Sequence, residues 1–207
     1  MLAPPGKSKA GIRRETPDRM LLTSGDSKGP SFRSQRLRMT WLLVFPFLFL
    51  SRPSPRVLLV GALISLAGLL LRGLAAGFIH KDRELATGGP YSRLRHPLYV
   101  GSFLLGLGLA LAGGRWWLPV IFSGLFIWLY GRAVGAEEKE LELRFGEPYE
   151  AYRGQVSALI PRLGRSHTHT SSLGFRFWLY RRNKEWQAAL GALVGYGLLW
   201  VRMSLIV

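Results

Sequence analysis

Two stretches of this 207-residue chain carry side chains that could do chemistry together. The first, Gly88-Gly89-Pro90-Tyr91-Ser92-Arg93-Leu94-Arg95-His96-Pro97-Leu98-Tyr99-Val100-Gly101, sets turn formers, tyrosines, arginines and a histidine between two apolar runs. Pro97 suits the first turn of a helix, where its missing N–H costs nothing, and the free N–H groups of that turn attract a carboxylate. An amino-acid carboxylate on a cofactor could therefore sit beside Arg95 and His96. The plainer alternative is that Arg95 and His96 touch lipid phosphate while Tyr91 and Tyr99 anchor at the interface. The second stretch is Glu137-Glu138. Adjacent carboxylates repel unless a cation is near, so a sulfonium or a ribose would suit them. Glu140, Glu142, Glu147 and Glu150, with Lys139 and Arg144 between them, also read as a solvated acidic helix. Arg72 and Arg132 lie inside apolar runs, where arginines are costly enough to be functional candidates and a pair could hold a lipid-linked anion; either could instead snorkel.

Other chemistries find no support. His80, His167 and His169 lack metal-ligand spacing, so no metal is expected. Gly106-Leu107-Gly108 lies within an apolar run and speaks of helix packing, and no G-x-G-x-x-G follows a predicted strand, which excludes a dinucleotide-binding Rossmann domain. The chain has no cysteine, hence no disulfide scaffold. Its 28 Lys and Arg against 12 Asp and Glu come in blocks between uncharged runs, the pattern of membrane orientation rather than of a nucleic-acid binder.

The elements that would position these residues are helices in a bilayer. Residues 1–38 are rich in Ser, Gly, Pro, Lys and Arg and bury too little to offset chain entropy, so a disordered basic leader is expected, with no signal peptide. Met20 and Met39 make a start-site artefact an alternative, the functional chain then running from residue 39 to 207. Five apolar segments follow: Thr40 to Leu50, about half a span; Val57 to Ile79; Leu98 to Ala112; Trp116 to Val134; and Trp186 to Val207. The fold class expected is all-α, a polytopic membrane bundle of about five membrane-embedded helices with a cytoplasmic cofactor pocket. Trp116 and Trp117 sit where aromatic belts sit, and Gly191, Gly195 and Gly197 would allow close helix contact. Leu141, Phe145, Tyr149 and Tyr152 mark one apolar face of an amphipathic helix lying on the membrane or on other helices. The leader and the 80–97 and 135–186 loops hold 22 Lys and Arg, the 51–56 and 113–115 turns three. The positive-inside rule puts the former, and both candidate half-sites, on the cytoplasmic side of an inner or plasma membrane.

GGPYSRLRHPLYVG, followed by AEEKELELRFGEPYEAY and VSALIP, resembles the isoprenylcysteine carboxyl methyltransferase family of integral membrane enzymes, related to phospholipid N-methyltransferases. The likeness covers about residues 57 to 161, and LRGLAAGFIHKDRELATGGPYS and FRFWLYRRNKEWQAALG look similar to a bacterial branch. It implies S-adenosyl-L-methionine as cofactor. Tyr91, Arg95, His96, Pro97, Leu98 and Tyr99 would bind it with Glu137 and Glu138, and Glu84-Leu85-Ala86 would line it by backbone. Arg72 matches an arginine used near the acceptor, implied to be a lipid or lipidated carboxylate, with Arg132 its partner. Two departures stand out. The second arginine belongs four residues before the first glutamate, where this chain has Ala133, and one residue is about 100° on a helix. Ser157 replaces the proline that normally follows the valine of the closing motif. Competing readings are an amine-methylating phospholipid enzyme, a sterol reductase using a nicotinamide dinucleotide, and a non-catalytic membrane protein of the same fold.

Overall fold

The computed structural model describes residues 46–79, 85–161 and 175–206. The expected leader, Glu84, and the histidines at 80, 167 and 169 lie outside the described residues. All regular structure among the described residues is helical. Residues 46–50 are helical and end where Ser51 donates through its amide to the Phe47 carbonyl and through its hydroxyl to that of Leu48.

Helix α1 runs Pro55–Ala76, with Pro55 in its first turn and Gly77 at its end. Its 22 residues rise about 33 Å, enough to cross the hydrocarbon core. A short 3-10 turn at Gly89–Ser92 precedes α2, Pro97–Ala112, which is too short to span alone. Helix α3, Trp117–Phe145, has 29 residues, about 43 Å of rise, more than the hydrocarbon core needs. Gly146, at φ 56°, breaks it in a conformation that disfavours a side chain, and α4, Glu147–Gln155, starts at once. A six-residue α5, Phe177–Arg182, precedes α6, Trp186–Ile206. Helices α1, α3 and α6 are long and apolar enough to cross a membrane, and α2 is a shorter apolar helix packed among them. Leucines such as Leu59, Leu63, Leu66 and Leu70 on α1 are exposed, as a hydrocarbon-facing surface requires.

Helices α1 and α2 pack closely because small residues line both. A Cβ on Gly68 would stand 2.6 Å from the Gly101 carbonyl oxygen, and one on Gly61 would strike the Gly108 carbonyl. Ser65, between them, donates to the Leu105 carbonyl at 2.9 Å and meets the Tyr196 hydroxyl of α6 at 2.8 Å. The helix-packing role expected of Gly106-Leu107-Gly108 holds, with Gly106 against Phe122 and Gly108 against Ser65. The expectation for α6 holds for Gly195 alone, which faces Leu109; Gly191 and Gly197 have open space. Along α2 and α3 an aromatic ladder joins Phe103, Phe126, Tyr130 and Tyr99, with ring centroids 5.3, 4.1 and 5.5 Å apart in turn.

At the end away from the candidate site, the Arg52 amide donates to the Gly113 carbonyl at 2.8 Å, and Arg202 Nη2 donates to the Phe49 carbonyl. The C-terminal end of α1, the N-terminal ends of α2 and α6, and the C-terminal part of α3 meet at the other end.

Candidate active site

Segment 85–97 is held from two sides. The Arg95 amide donates to the Ser157 carbonyl at 2.9 Å and the His96 amide to that of Ala158 at 3.2 Å. These bonds use the carbonyl of Ser157, which a proline would also offer, so the departure at this position leaves the docking of the loop intact. The Tyr152 hydroxyl donates to the Tyr91 carbonyl at 2.7 Å, and Arg95 Nη1 reaches the Tyr149 hydroxyl at 3.4 Å. Tyr149, Tyr152 and Val156 form a buried cluster with Leu85, Leu141 and Phe145 packed on it. This corrects the amphipathic-helix reading. The apolar face is real but crosses the Gly146 break, and it buries against the His-Pro loop. The paired tyrosines of the second motif thus hold the first.

His96 is 3% exposed. Its Nε2 lies 3.2 Å from Glu138 Oε1, the oxygen that also takes Arg95 Nη1 at 2.8 Å. Arg153 approaches the other oxygen of Glu138 at 3.9 Å. Glu138 is therefore a clamp between α3 and the loop, with its charge matched by two guanidiniums. Glu137 differs. Its side chain is 41% exposed, its nearest contact to His96 Nδ1 is 3.8 Å, and Tyr99 is within hydrogen-bonding reach. The repulsion expected between adjacent carboxylates is relieved by Arg95 and Arg153, and only one of the pair remains open to a ligand.

Tyr91 is buried, and its hydroxyl has no hydrogen-bond partner among the described residues; neither has Arg95 Nε. Burial first, then the Glu137 carboxylate, hold the Tyr91 hydroxyl well above its ordinary pKa, with Glu185 adding and Arg72 opposing. Burial likewise raises Tyr152 and Tyr149.

Arg72 stands four residues before the end of α1, about 6 Å from it, so it is shallower than a span ending at Ile79 implied. Its Nε donates to Glu185 Oε2 at 2.9 Å and its Nη2 to Oε1 at 3.1 Å, while Nη1 donates to the Ser102 hydroxyl of α2. Glu185 is buried and ends the turn that leads into α6. A single carboxylate beside Trp186, at the head of an apolar run, was the available sequence signal for it. The Glu185 segment is docked on the end of α1, where Asn183 Nδ2 donates to the Ala76 carbonyl at 3.0 Å and the Arg176 amide to that of Gly77 at 3.1 Å.

Arg132 goes elsewhere. It is exposed on α3 with its guanidinium over the Trp128 ring, 5.4 Å from the centroid, and is not brought to Arg72. The helix through this region is regular, so the one-residue displacement turns the side chain away. Of the remaining sequence candidates, Leu85 packs against the tyrosine cluster, Ala86 is half-buried, and Pro97, Leu98 and Tyr99 open α2 directly after His96. His96 and Tyr99 rings are 5.8 Å apart. No group of metal-ligating side chains forms among the described residues.

A buried histidine clamped to a glutamate pair, reached from a His-Pro helix start, is the arrangement carried by residues 56–148, the region that matches the phospholipid methyltransferase family model. Similar curated proteins include protein-S-isoprenylcysteine O-methyltransferase of Schizosaccharomyces pombe, 36% identical over 46% of this chain and 40% of that one. Nickel-cobalt-cadmium resistance protein NccN of Alcaligenes xylosoxydans xylosoxydans is 33% identical over 45% of this chain and 43% of its own. Methanethiol S-methyltransferase of Crocosphaera subtropica is 37% identical over 36% of this chain and 28% of its own. The chain thus spans less than half the length of these curated relatives. No solved structure matches it. The matched region contains both halves of the His96 cluster, whereas Tyr149, Tyr152 and Glu185 lie beyond it.

Proposed function

We propose that this chain is an S-adenosyl-L-methionine-dependent methyltransferase that modifies a lipid or lipidated carboxylate at the membrane. The observation that carries the reading is the convergence of Arg95, His96 and Tyr99 on Glu137 and Glu138, with the buried Tyr91 hydroxyl and Arg95 Nε left without partners. Orphaned buried donors are costly unless something accepts from them, and a cofactor with an amino-acid carboxylate and ribose oxygens offers acceptors. The half-exposed Glu137 offers the complementary carboxylate to hydroxyl donors or a cation. S-adenosyl-L-methionine, when bound, supplies an electrophilic methyl group on a sulfonium.

The protein's part is alignment and exclusion of water. Proximity and orientation can account for about 7–11 kcal/mol of such a barrier. A carboxylate acceptor is already ionised, so it needs orienting by a cation rather than a general base, and Arg72, held between α1 and α2 at this end of the bundle, is our candidate for it. An amine acceptor would need a proton acceptor, and His96 and Glu138 are already engaged with each other. The excess of Lys and Arg in the loops at this end supports a cytoplasmic site in an inner or plasma membrane.

Calorimetric titration of S-adenosylhomocysteine into the detergent-solubilised protein tests the donor half. Binding is expected, and it should weaken in both His96→Ala and Glu137→Ala. Affinity unchanged in both would overturn the assignment.

A further inference from the structure

The two-pronged face of the Arg72 guanidinium already holds a carboxylate. Glu185 binds it with both oxygens, at 2.9 Å from Nε and 3.1 Å from Nη2, the geometry in which arginine recognises a carboxylate ligand. Ser102 takes Nη1, its own hydroxyl being shared with the Leu98 carbonyl at 2.7 Å. The pair is enclosed, with side chains 22% and 9% exposed, and packs against the first turns of α2, where Arg72 lies on Gly101 and Ser102, directly after the His96 loop. An acceptor carboxylate seated on the fork of Arg72 would thus lie beside the helix start that follows the donor-binding loop. It cannot take both prongs while Glu185 is there.

We infer that Glu185 is a specificity-determining residue, an internal carboxylate that occupies the acceptor's seat on Arg72 and must be exchanged for the acceptor carboxylate. The inference rests on the carboxylate reading above. Two features favour exchange over a permanent structural pair. Glu185 belongs to neither half of the His96 cluster but to the turn between α5 and α6, so its carboxylate can leave without disturbing the donor-binding groups. That turn contains Lys184, at φ 55°, a strained position for a residue with a side chain. The exchange also gives selection. A neutral or amine-bearing amphiphile cannot replace a carboxylate on a guanidinium, because it would leave both charges unmatched in an enclosed site.

The test uses the full-length protein in detergent micelles, titrated with S-farnesylthiopropionic acid and with its primary amide, both with and without S-adenosylhomocysteine. Glu185→Gln should bind the acid about tenfold tighter than the unaltered protein and the amide no tighter, because the charged competitor is gone. Glu185→Asp, which keeps the charge but retracts it by one methylene, should give a smaller gain for the acid alone, and it serves if the glutamine variant does not fold. Arg72→Gln should abolish the preference for acid over amide. Equal acid affinity in the glutamate variants and the unaltered protein, or an equal gain for the amide, would overturn the inference and leave the pair a structural one. Failure of the donor reading looks different: S-adenosylhomocysteine would not bind, while the acid-to-amide comparison without it would still be readable.

Discussion

Glu137 and Glu138 are adjacent in sequence but should fail in different ways when removed. In Glu138→Ala, Arg95 and His96 lose the oxygen they share at 2.8 and 3.2 Å. Breaking a fully buried pair from one side costs about 3–5 kcal/mol. Glu138 is 16% exposed, and its third partner Arg153 is half exposed and can turn to water, so about 2–3 kcal/mol is the reasonable expectation here. For a chain of this size each kcal/mol moves the melting temperature by about 2–4 °C, giving a fall of about 4–12 °C. Glu137, 41% exposed, makes only the long 3.8 Å contact to His96 and its contact with Tyr99, so its removal should cost about 0–1 kcal/mol. Its loss should show in ligand affinity instead. One charge-assisted hydrogen bond is worth about 1.5–3 kcal/mol, so S-adenosylhomocysteine should bind about 10- to 100-fold more weakly to Glu137→Ala. Thermal melts and calorimetry on the two detergent-solubilised variants measure both quantities. Equal losses of melting temperature, or a Glu138→Ala protein as stable as the unaltered one, would refute the division into a clamp and a ligand-facing carboxylate.

Other outcomes follow from the same contacts. Gly68→Ala should lower stability by about 1–3 kcal/mol, since its Cβ has backbone 2.6 Å away on α2, whereas Gly191→Ala, in open space, should be neutral or stabilising by up to about 1 kcal/mol in the same melts. The raised pKa of Tyr91, due first to burial and then to Glu137, means that the folded state keeps a proton that the unfolded chain releases above its ordinary pKa of about 10. Stability from this group is complete below that pH and declines as pH rises through it, so Tyr91→Phe should shrink the alkaline fall in melting temperature between about pH 9.5 and 11.5. An unchanged alkaline slope would count against the burial of that hydroxyl. Arg132→Ala should leave methyl transfer within about twofold, because its guanidinium covers Trp128 on the exposed face, whereas Arg72→Ala should abolish it; equal losses would mean that Arg132 reaches the site.

Much of the fold could be read from residue pattern, because a bilayer imposes strong rules. Apolar length marked α1, α3 and α6, proline and glycine marked the helix ends, and Gly106-Leu107-Gly108 marked α2 as a packing helix without naming its partners. Spacing also marked the face containing Tyr149 and Tyr152, but not what covers it. Periodicity reports that a face is buried and is silent on the partner, which here is a loop more than fifty residues earlier in the chain. The same limit hid Glu185. Its partner is 113 residues away, and a lone carboxylate at the head of a span resembles any interfacial charge until Arg72 is seen beside it. Arg132 shows the converse. A one-residue offset, visible in the sequence, was enough to place it outside the site because the helix carrying it is regular.

The central claim is methyl transfer from a cofactor held at the His96 cluster to an acceptor drawn from the membrane. The most direct measurement supplies methyl-labelled S-adenosyl-L-methionine to membranes containing the protein and follows label into the organic-extractable fraction, with His96→Ala alongside. Label should accumulate with the unaltered protein alone and should be released as volatile methanol by mild base, the behaviour of a methyl ester. Label that stays in the aqueous fraction, or enters the organic fraction equally with His96→Ala, would contradict the account.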